Sequence, residues 1–374
     1  MADVLDGLQQ VVDDVVMPLA GEVDRSGTFP RASIDALART GVLGLVSATE
    51  VGGGGQDLRA AAGVIERLAG ACGSTAMVVL MHYTATAVIE AHGTTEVREA
   101  IAAGRHLSTL AFSETGSRSQ FWVSQATAIS ENGKVRLDAR KSWVTSAGEA
   151  DSYVFSSRPL AGEGAMTLWL VPADWTGLHQ PGSFDGLGLR GNASTPITAE
   201  AVLIPAELRL GDDGAGLDIA LSVVLPWFLV LSAAFSLGLM EAVMAESAKH
   251  LTSTRLEHLG QSLVEQPLIR ADLARMRLTT DSTRALLEDT LRALEESRPD
   301  AMLRVLEVKA VAAEAAVDVT DKAMKVCGGS AFRKELGIER RFRDARAARV
   351  MAPTTDALLD FVGRAVAGLP LLDA

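Results

Sequence analysis

The side chains able to move a proton or hold an anion are few in this sequence, and they are scattered. His82 and Tyr83 interrupt an apolar run, Val-Leu-Met-His-Tyr-Thr, with helical character. A histidine there can serve as a general base if one ring nitrogen keeps its lone pair free, but a lone helical histidine is more often packed or hydrogen-bonded. The segment Ala-Phe-Ser-Glu-Thr-Gly-Ser-Arg-Ser-Gln, residues 111–120, gathers hydroxyls around a glycine. It reads either as a turn entering a strand or as a loop presenting hydroxyls and amides to a ligand. Gly52 to Gly55 form a second cluster, but no Gly-Lys-Ser/Thr follows, which argues against a nucleotide P-loop. The arginines of the run 340–349 would ordinarily be a solvated helix face. Cys72 and Cys327 are the two cysteines, too few for a disulfide framework or a Cys-rich metal site. No metal is expected.

Three composition regimes must position these residues. Residues 1–108 are Ala- and Leu-rich and predict amphipathic helices over 32–40, 58–71 and 75–91, with the four glycines as a loop between them. From 109 to 212 the pattern turns to short β runs. Asn132-Gly133 between Ala126–Ile129 and the alternating Val135, Leu137 and Ala139 predicts a hairpin, and further strands are expected over 153–157, 167–171 and 197–204. From 213 to 374 helices return. Val305, Val308, Ala312, Ala315, Val319, Ala323 and Val326 recur every three or four residues, marking one long helix that Gly328-Gly329 stops. The expected fold is mainly α with a central β domain: an N-terminal helical domain, an antiparallel barrel or sandwich, and a C-terminal four-helix bundle.

At 374 residues the chain exceeds what one core usually organises, and 48% apolar residues suffice for a large interior and for surface buried between subunits. The most apolar stretch, 217–240, contains Pro226 and is expected to be a buried core helix preceded by a turn, short of a membrane span. A net charge of −12 argues against nucleic acid and anionic membranes as partners. The acidic start and the two cysteines fit a reduced, cytoplasmic setting.

Four segments together resemble the acyl-CoA dehydrogenase superfamily across nearly the whole chain. Ser47-Ala-Thr-Glu-Val-Gly-Gly is similar to its Pro-Glu-x-x-Gly-Gly loop. Residues 111–120 resemble Thr-Glu-Pro-Gly-x-Gly-Ser-Asp, with Thr115, Arg118 and Gln120 in place of the proline, second glycine and aspartate. Lys141-Ser-Trp-Val-Thr-Ser-Ala-Gly-Glu-Ala-Asp151 resembles Lys-x-Trp-Ile-Thr-Asn-Gly-x-x-Ala-Asp and is the most specific match. Cys327-Gly-Gly-Ser-Ala-Phe and Arg343-Asp-Ala-Arg resemble the Gly-Gly and Arg-Asp-Ala-Arg motifs of the bundle. The resemblance implies FAD. Phe112, Ser113, Trp143 and Thr145 would then face the flavin, and Ser119 the substrate. Trp143 would exclude water and Thr145 would donate near N5. Gly328 and Gly329 would admit the pyrophosphate, with Lys325 near the adenosine end. Arg255 would stand, one position early, for the arginine reaching a neighbouring subunit's cofactor, and Thr354 and Asp356 would lie on the flavin-side turn. A homotetramer or homodimer follows.

The pattern breaks at the catalytic base. The superfamily's glutamate aligns with Ala352, and its alternative position on the first bundle helix aligns with Phe228, which would then line the substrate pocket. Removing an α-proton needs a base within about 3 Å, and His82 is the remaining candidate. Three readings compete: a dehydrogenase oxidising the Cα–Cβ bond of an acyl thioester or related small molecule, a flavin monooxygenase using a peroxyflavin, or a non-catalytic subunit of a hetero-oligomer.

Overall fold

The computed structural model describes residues 2–117 and 120–372. Six helices come first: α1 (Ala2–Val11), α2 (Met17–Ser26), α3 (Arg31–Arg39), α4 (Leu58–Ala71), α5 (Gly73–His92) and α6 (Thr95–Ala102). The α4 helix starts where Asp57 accepts the Ala60 amide at 2.9 Å, satisfying one of the donors a helix N-terminus leaves open. The four glycines are a loop of the chain's own making. A Cβ on Gly53 would lie 2.3 Å from the Ser47 carbonyl oxygen, and one on Gly54 would lie 2.6 Å from that of Leu45.

Eight strands follow: β1 (Ser108–Ala111), β2 (Thr127–Glu131), β3 (Lys134–Val144), β4 (Ser152–Ser157), β5 (Thr167–Pro172), β6 (Leu178–His179), β7 (Thr195–Pro205) and β8 (Arg209–Leu210). They make two four-stranded sheets, ordered β1-β4-β5-β8 and β2-β3-β7-β6. Val135, Leu137, Ile197 and Val202 of one sheet share a core with Tyr153, Phe155 and Trp169 of the other. The β2–β3 hairpin turns at Asn132 and Gly133, both left-handed at φ 50° and 77°, which suits its twist. One pairing departs from the antiparallel expectation: β1 runs parallel to β4, because the whole β2–β3 hairpin intervenes between them in sequence.

In the C-terminal region α7 (Gly216–Ile219), a five-residue π turn and α8 (Leu225–Ser253) form one helix rather than a turn and a helix. Pro226 falls in the first turn of α8, and the wider π turn before it accommodates its missing N–H. This helix, Gly216–Ser253, is long and apolar enough to cross a membrane, contrary to the expectation, and 78% of its most apolar window is buried inside the protein. A short hairpin, β9 (Arg255–Leu256) and β10 (Gln261–Ser262), leads to α9 (Pro267–Glu295), α10 (Ala301–Cys327), α11 (Ile338–Ala345), α12 (Ala347–Val350) and α13 (Thr355–Val366). The α4 and α8 helices approach backbone to backbone at Gly238, where a Cβ would sit 2.2 Å from the Glu66 carbonyl oxygen.

The arginine run is not a solvated face. Arg340 and Arg341 donate to the carbonyls of Ala71 and Gly70 at the C-terminus of α4, where a cation complements the helix dipole. Arg343 pairs with Asp24 of α2 at 2.6 Å, and Arg190 reaches the Asp24 carbonyl at 2.8 Å. Asp344 accepts the Leu189 amide at 2.7 Å. Residues 24, 187–190 and 343–344 thus join all three regions at one place.

Candidate active site

The β3 strand makes its own anomaly. Pairing with β7 shifts register between Lys141 and Val144, and within this bulge Trp143 takes φ 56°. A left-handed non-glycine residue costs about 1–2 kcal/mol, yet the indole is 70% exposed and recovers little by packing. A strained backbone that displays a large aromatic face suits a ligand that covers it. Immediately after it, Thr145 is buried with its hydroxyl 3.0 Å from Ser194 Oγ. Ser146, also left-handed, has a buried hydroxyl without a partner.

The Ser113 loop lies against this bulge. Ser142 donates its amide to the Ser113 carbonyl at 2.9 Å, and Thr115 donates to the Arg140 carbonyl at 3.2 Å. Between them, Glu114 ties the loop shut. Its carboxylate accepts from Ser124 Oγ at 3.0 Å, from the amides of Gln125 and Ala126, and from Lys141 Nζ. Lys141 also donates to the Ser156 carbonyl and hydroxyl at 2.7 and 2.9 Å. Both members of the pair are buried. Burial pulls the Lys141 ammonium down to about 8, and Glu114 opposes that shift. Neither residue stood out as a site residue in the sequence. The signal was available: Lys141 continues the inward alternation of Val135, Leu137 and Ala139, so a period of two places its charge in the core.

Other expected site residues form separate groups. Phe112 is buried in the larger core, and so is Phe228 on α8. At one end of the bundle, Lys325 pairs with Asp272 at 2.8 Å, joining the C-terminus of α10 to the start of α9. Gly328 is left-handed at φ 56°, whereas Gly329 has nothing within 4 Å of a would-be Cβ. The chain itself therefore gives no reason for glycine at 329. Arg255 is exposed and donates to the Gly260 carbonyl at 2.7 Å. Thr354 caps α13 by accepting the Ala357 amide; Asp356 is exposed in its first turn and is not the cap. Ser119 lies outside the described residues.

Neither base position holds an acid: Ala352 and Phe228 stand there. The geometry also removes His82 from candidacy. It is fully buried, its Nε2 lies 3.1 Å from the Leu43 carbonyl, and its Nδ1 accepts the Ser108 amide at 3.2 Å. With Nδ1 accepting, the proton sits on Nε2 and donates to Leu43, so no lone pair is free. Burial lowers its pKa to about 4. Tyr83 is likewise buried, donating to the Val42 carbonyl at 2.6 Å.

A displayed indole, an unpartnered buried hydroxyl at Ser146 and open space at Gly329 fit a flavin dinucleotide. Comparisons with known proteins agree. The chain matches the acyl-CoA dehydrogenase N-terminal domain over residues 2–104, the middle domain over 109–202 and the C-terminal domain over 214–367. It is 29% identical to the human mitochondrial short-chain specific acyl-CoA dehydrogenase, over 91% of this chain and 84% of that protein. The solved butyryl-CoA dehydrogenase of Megasphaera elsdenii superposes with a TM-score of 0.91 at 23% identity, covering 98% of this chain and 97% of that one. TdsC of Paenibacillus sp. A11-2, solved with FMN and indole, superposes with a TM-score of 0.88 at 22% identity, covering 99% and 98%. The three domains, the bulge that displays Trp143 and the glycines of the bundle together place this chain in the acyl-CoA dehydrogenase family of FAD flavoproteins.

Proposed function

We propose that the protein is an FAD-dependent oxidoreductase that oxidises the Cα–Cβ bond of an acyl thioester or a related small molecule. The exposed Trp143, held left-handed beside Ser113 and Thr145, carries this reading. When bound, FAD supplies an acceptor for a hydride at N5. The chain's own residues do the rest: Trp143 shields the reacting face from water, and Thr145 offers a neutral hydroxyl that favours the reduced state without fixing a charge. Phe228 and Ala352 place no carboxylate on the substrate side. At the bundle end, Lys325, Gly328 and Gly329 hold the dinucleotide, with Arg255 reaching a neighbouring subunit's cofactor in a homotetramer or homodimer.

One observation favours a second reading. Both His82 nitrogens are engaged, and no acid occupies position 228 or 352. A flavin-dependent monooxygenase needs no α-proton base, so the same site suits that chemistry. Anaerobic mixing of the FAD-loaded protein with butyryl-CoA separates the two. Bleaching of the flavin supports the dehydrogenase. No bleaching, together with rapid reoxidation by oxygen after dithionite reduction, supports the monooxygenase.

A further inference from the structure

A buried cation lies directly behind Ala352. Lys309 is 1% exposed on α10, one position past Val308 on the helix's apolar stripe. Its Nζ donates to the carbonyls of Pro353 at 2.7 Å, Met351 at 3.0 Å and Ala348 at 3.1 Å. These three acceptors match the three hydrogens of an ammonium, whereas a neutral amine has two. Among the described residues no carboxylate is bonded to it. Its nearest ring is Phe228, with the centroid 6.0 Å from Nζ. Burial draws its pKa down to about 7, and the carbonyl cage opposes that by favouring the charged form. The cage cannot be incidental, because an unpaired buried charge is costly unless its hydrogen bonds are met.

The three carbonyls belong to the end of α12 and to the linker before α13. Two of them, on Met351 and Pro353, flank Ala352, and Thr354 follows at once as the cap of α13. Lys309 therefore grips the backbone on both sides of the position where relatives carry their base, and Phe228, at the alternative position, has its ring centroid 6.0 Å from the ammonium.

We propose that Lys309 is a positioning residue for the 348–353 segment, and that its ammonium gives the substrate side of the flavin pocket a positive charge. The second half rests on the FAD-site reading above. Lys309 is not itself the base, since it is 1% exposed and its nitrogen is directed at three backbone carbonyls. Its charge instead favours negative charge developing on the ligand or on the flavin.

The test compares the full-length protein with Lys309→Met, Lys309→Arg and Lys309→Gln, with and without FAD. Hydrogen exchange over 347–356 reads the positioning. It is expected to quicken at least about tenfold in the Met variant and less in Gln, to stay near wild type in Arg, and to be unchanged in α9. Sulfite reads the charge. Its sulfur lone pair bonds to flavin N5 and leaves the ring system anionic, so a nearby cation tightens the adduct. The sulfite dissociation constant is expected to rise about tenfold in Met and Gln and to hold in Arg. Unchanged exchange in Met overturns the positioning role, and in that event the Gln variant must also be unchanged. A loosened loop with unchanged sulfite affinity overturns the charge role. Should Met fail to fold, Gln and Arg decide both. A wild-type protein that takes up no FAD defeats the site reading, while the exchange arm still decides whether Lys309 holds the loop.

Discussion

Glu114→Gln tests whether the buried pair holds the flavin loop. The substitution leaves Lys141 in the core with only the Ser156 carbonyl and hydroxyl. A buried ammonium without a counter-ion would sooner lose its proton than remain charged. Deprotonating a lysine of ordinary pKa 10.4 at pH 7 costs about 1.36 kcal/mol for each of 3.4 units, or about 4.6 kcal/mol, which caps the loss. Wild-type Lys141, drawn to about 8, already bears part of that cost. The difference, about 1.36 kcal/mol for the one unit between 8 and 7, is the expected destabilisation at pH 7 from the lysine. The sign of the pH dependence follows. A lysine whose folded pKa lies below its unfolded value binds fewer protons when folded, so stability rises with pH between the two values. Glu114→Gln widens that window downward, so its deficit relative to wild type must shrink between pH 7 and 9. Removing both charges in Glu114→Gln/Lys141→Met should recover at least about 1.5 kcal/mol of the summed single losses. Urea melts at pH 7 and 9 measure all three, and FAD release from the variants reports the loop. A Glu114→Gln loss below about 1 kcal/mol, or one independent of pH, refutes the reasoning.

Further outcomes follow from the same geometry. His82, drawn by burial to about 4 from 6.5, resists protonation when folded, so stability falls as pH drops from 6.5 to 4, by about 3 kcal/mol in all. His82→Gln should flatten that slope in thermal melts while leaving flavin reduction at pH 8 unchanged. Trp143→Gly should stabilise the apoprotein by about 1 kcal/mol, by relieving the left-handed residue, and weaken FAD binding at least about tenfold; calorimetry and fluorescence titration read the two opposite signs. Gly329→Ala should change apoprotein stability by less than about 0.5 kcal/mol, as its Cβ meets nothing, yet lower FAD affinity; equal affinity would show that the open space is not a cofactor cradle.

The elements were legible wherever hydrophobic period and turn chemistry agreed. Asn132-Gly133 marks its hairpin because the turn requires left-handed residues, and the stripe from Val305 to Val326 is buried as its spacing demands. Period cannot show which strands meet without adjoining in sequence, so the parallel β1–β4 pair was not visible. Nor could composition show that a π turn carries one helix past Pro226. At the site, Trp143 and Thr145 stood out through motif likeness, but the strain and exposure that give Trp143 its meaning belong to the β3–β7 register. His82 looked like a base because a sequence lists side chains and not their partners; Leu43 and Ser108 lie 39 and 26 residues away. Lys309 gives no signal in the sequence for a similar reason, since its acceptors are main-chain carbonyls and no side chain announces them.

The joint at Asp24 bears on how a ligand can arrive. Arg343, Arg190 and Leu187–Leu189 connect helix α2, the β sandwich and helix α11 through short polar bonds at one place. Domain hinges work where few bonds cross a boundary and a flexible linker absorbs the rotation. Here a rotation of any one region about the others would break several charge-assisted bonds together. Traffic to and from the flavin face must then depend on small excursions of surface segments around a rigid frame rather than on any clamshell motion of the three regions.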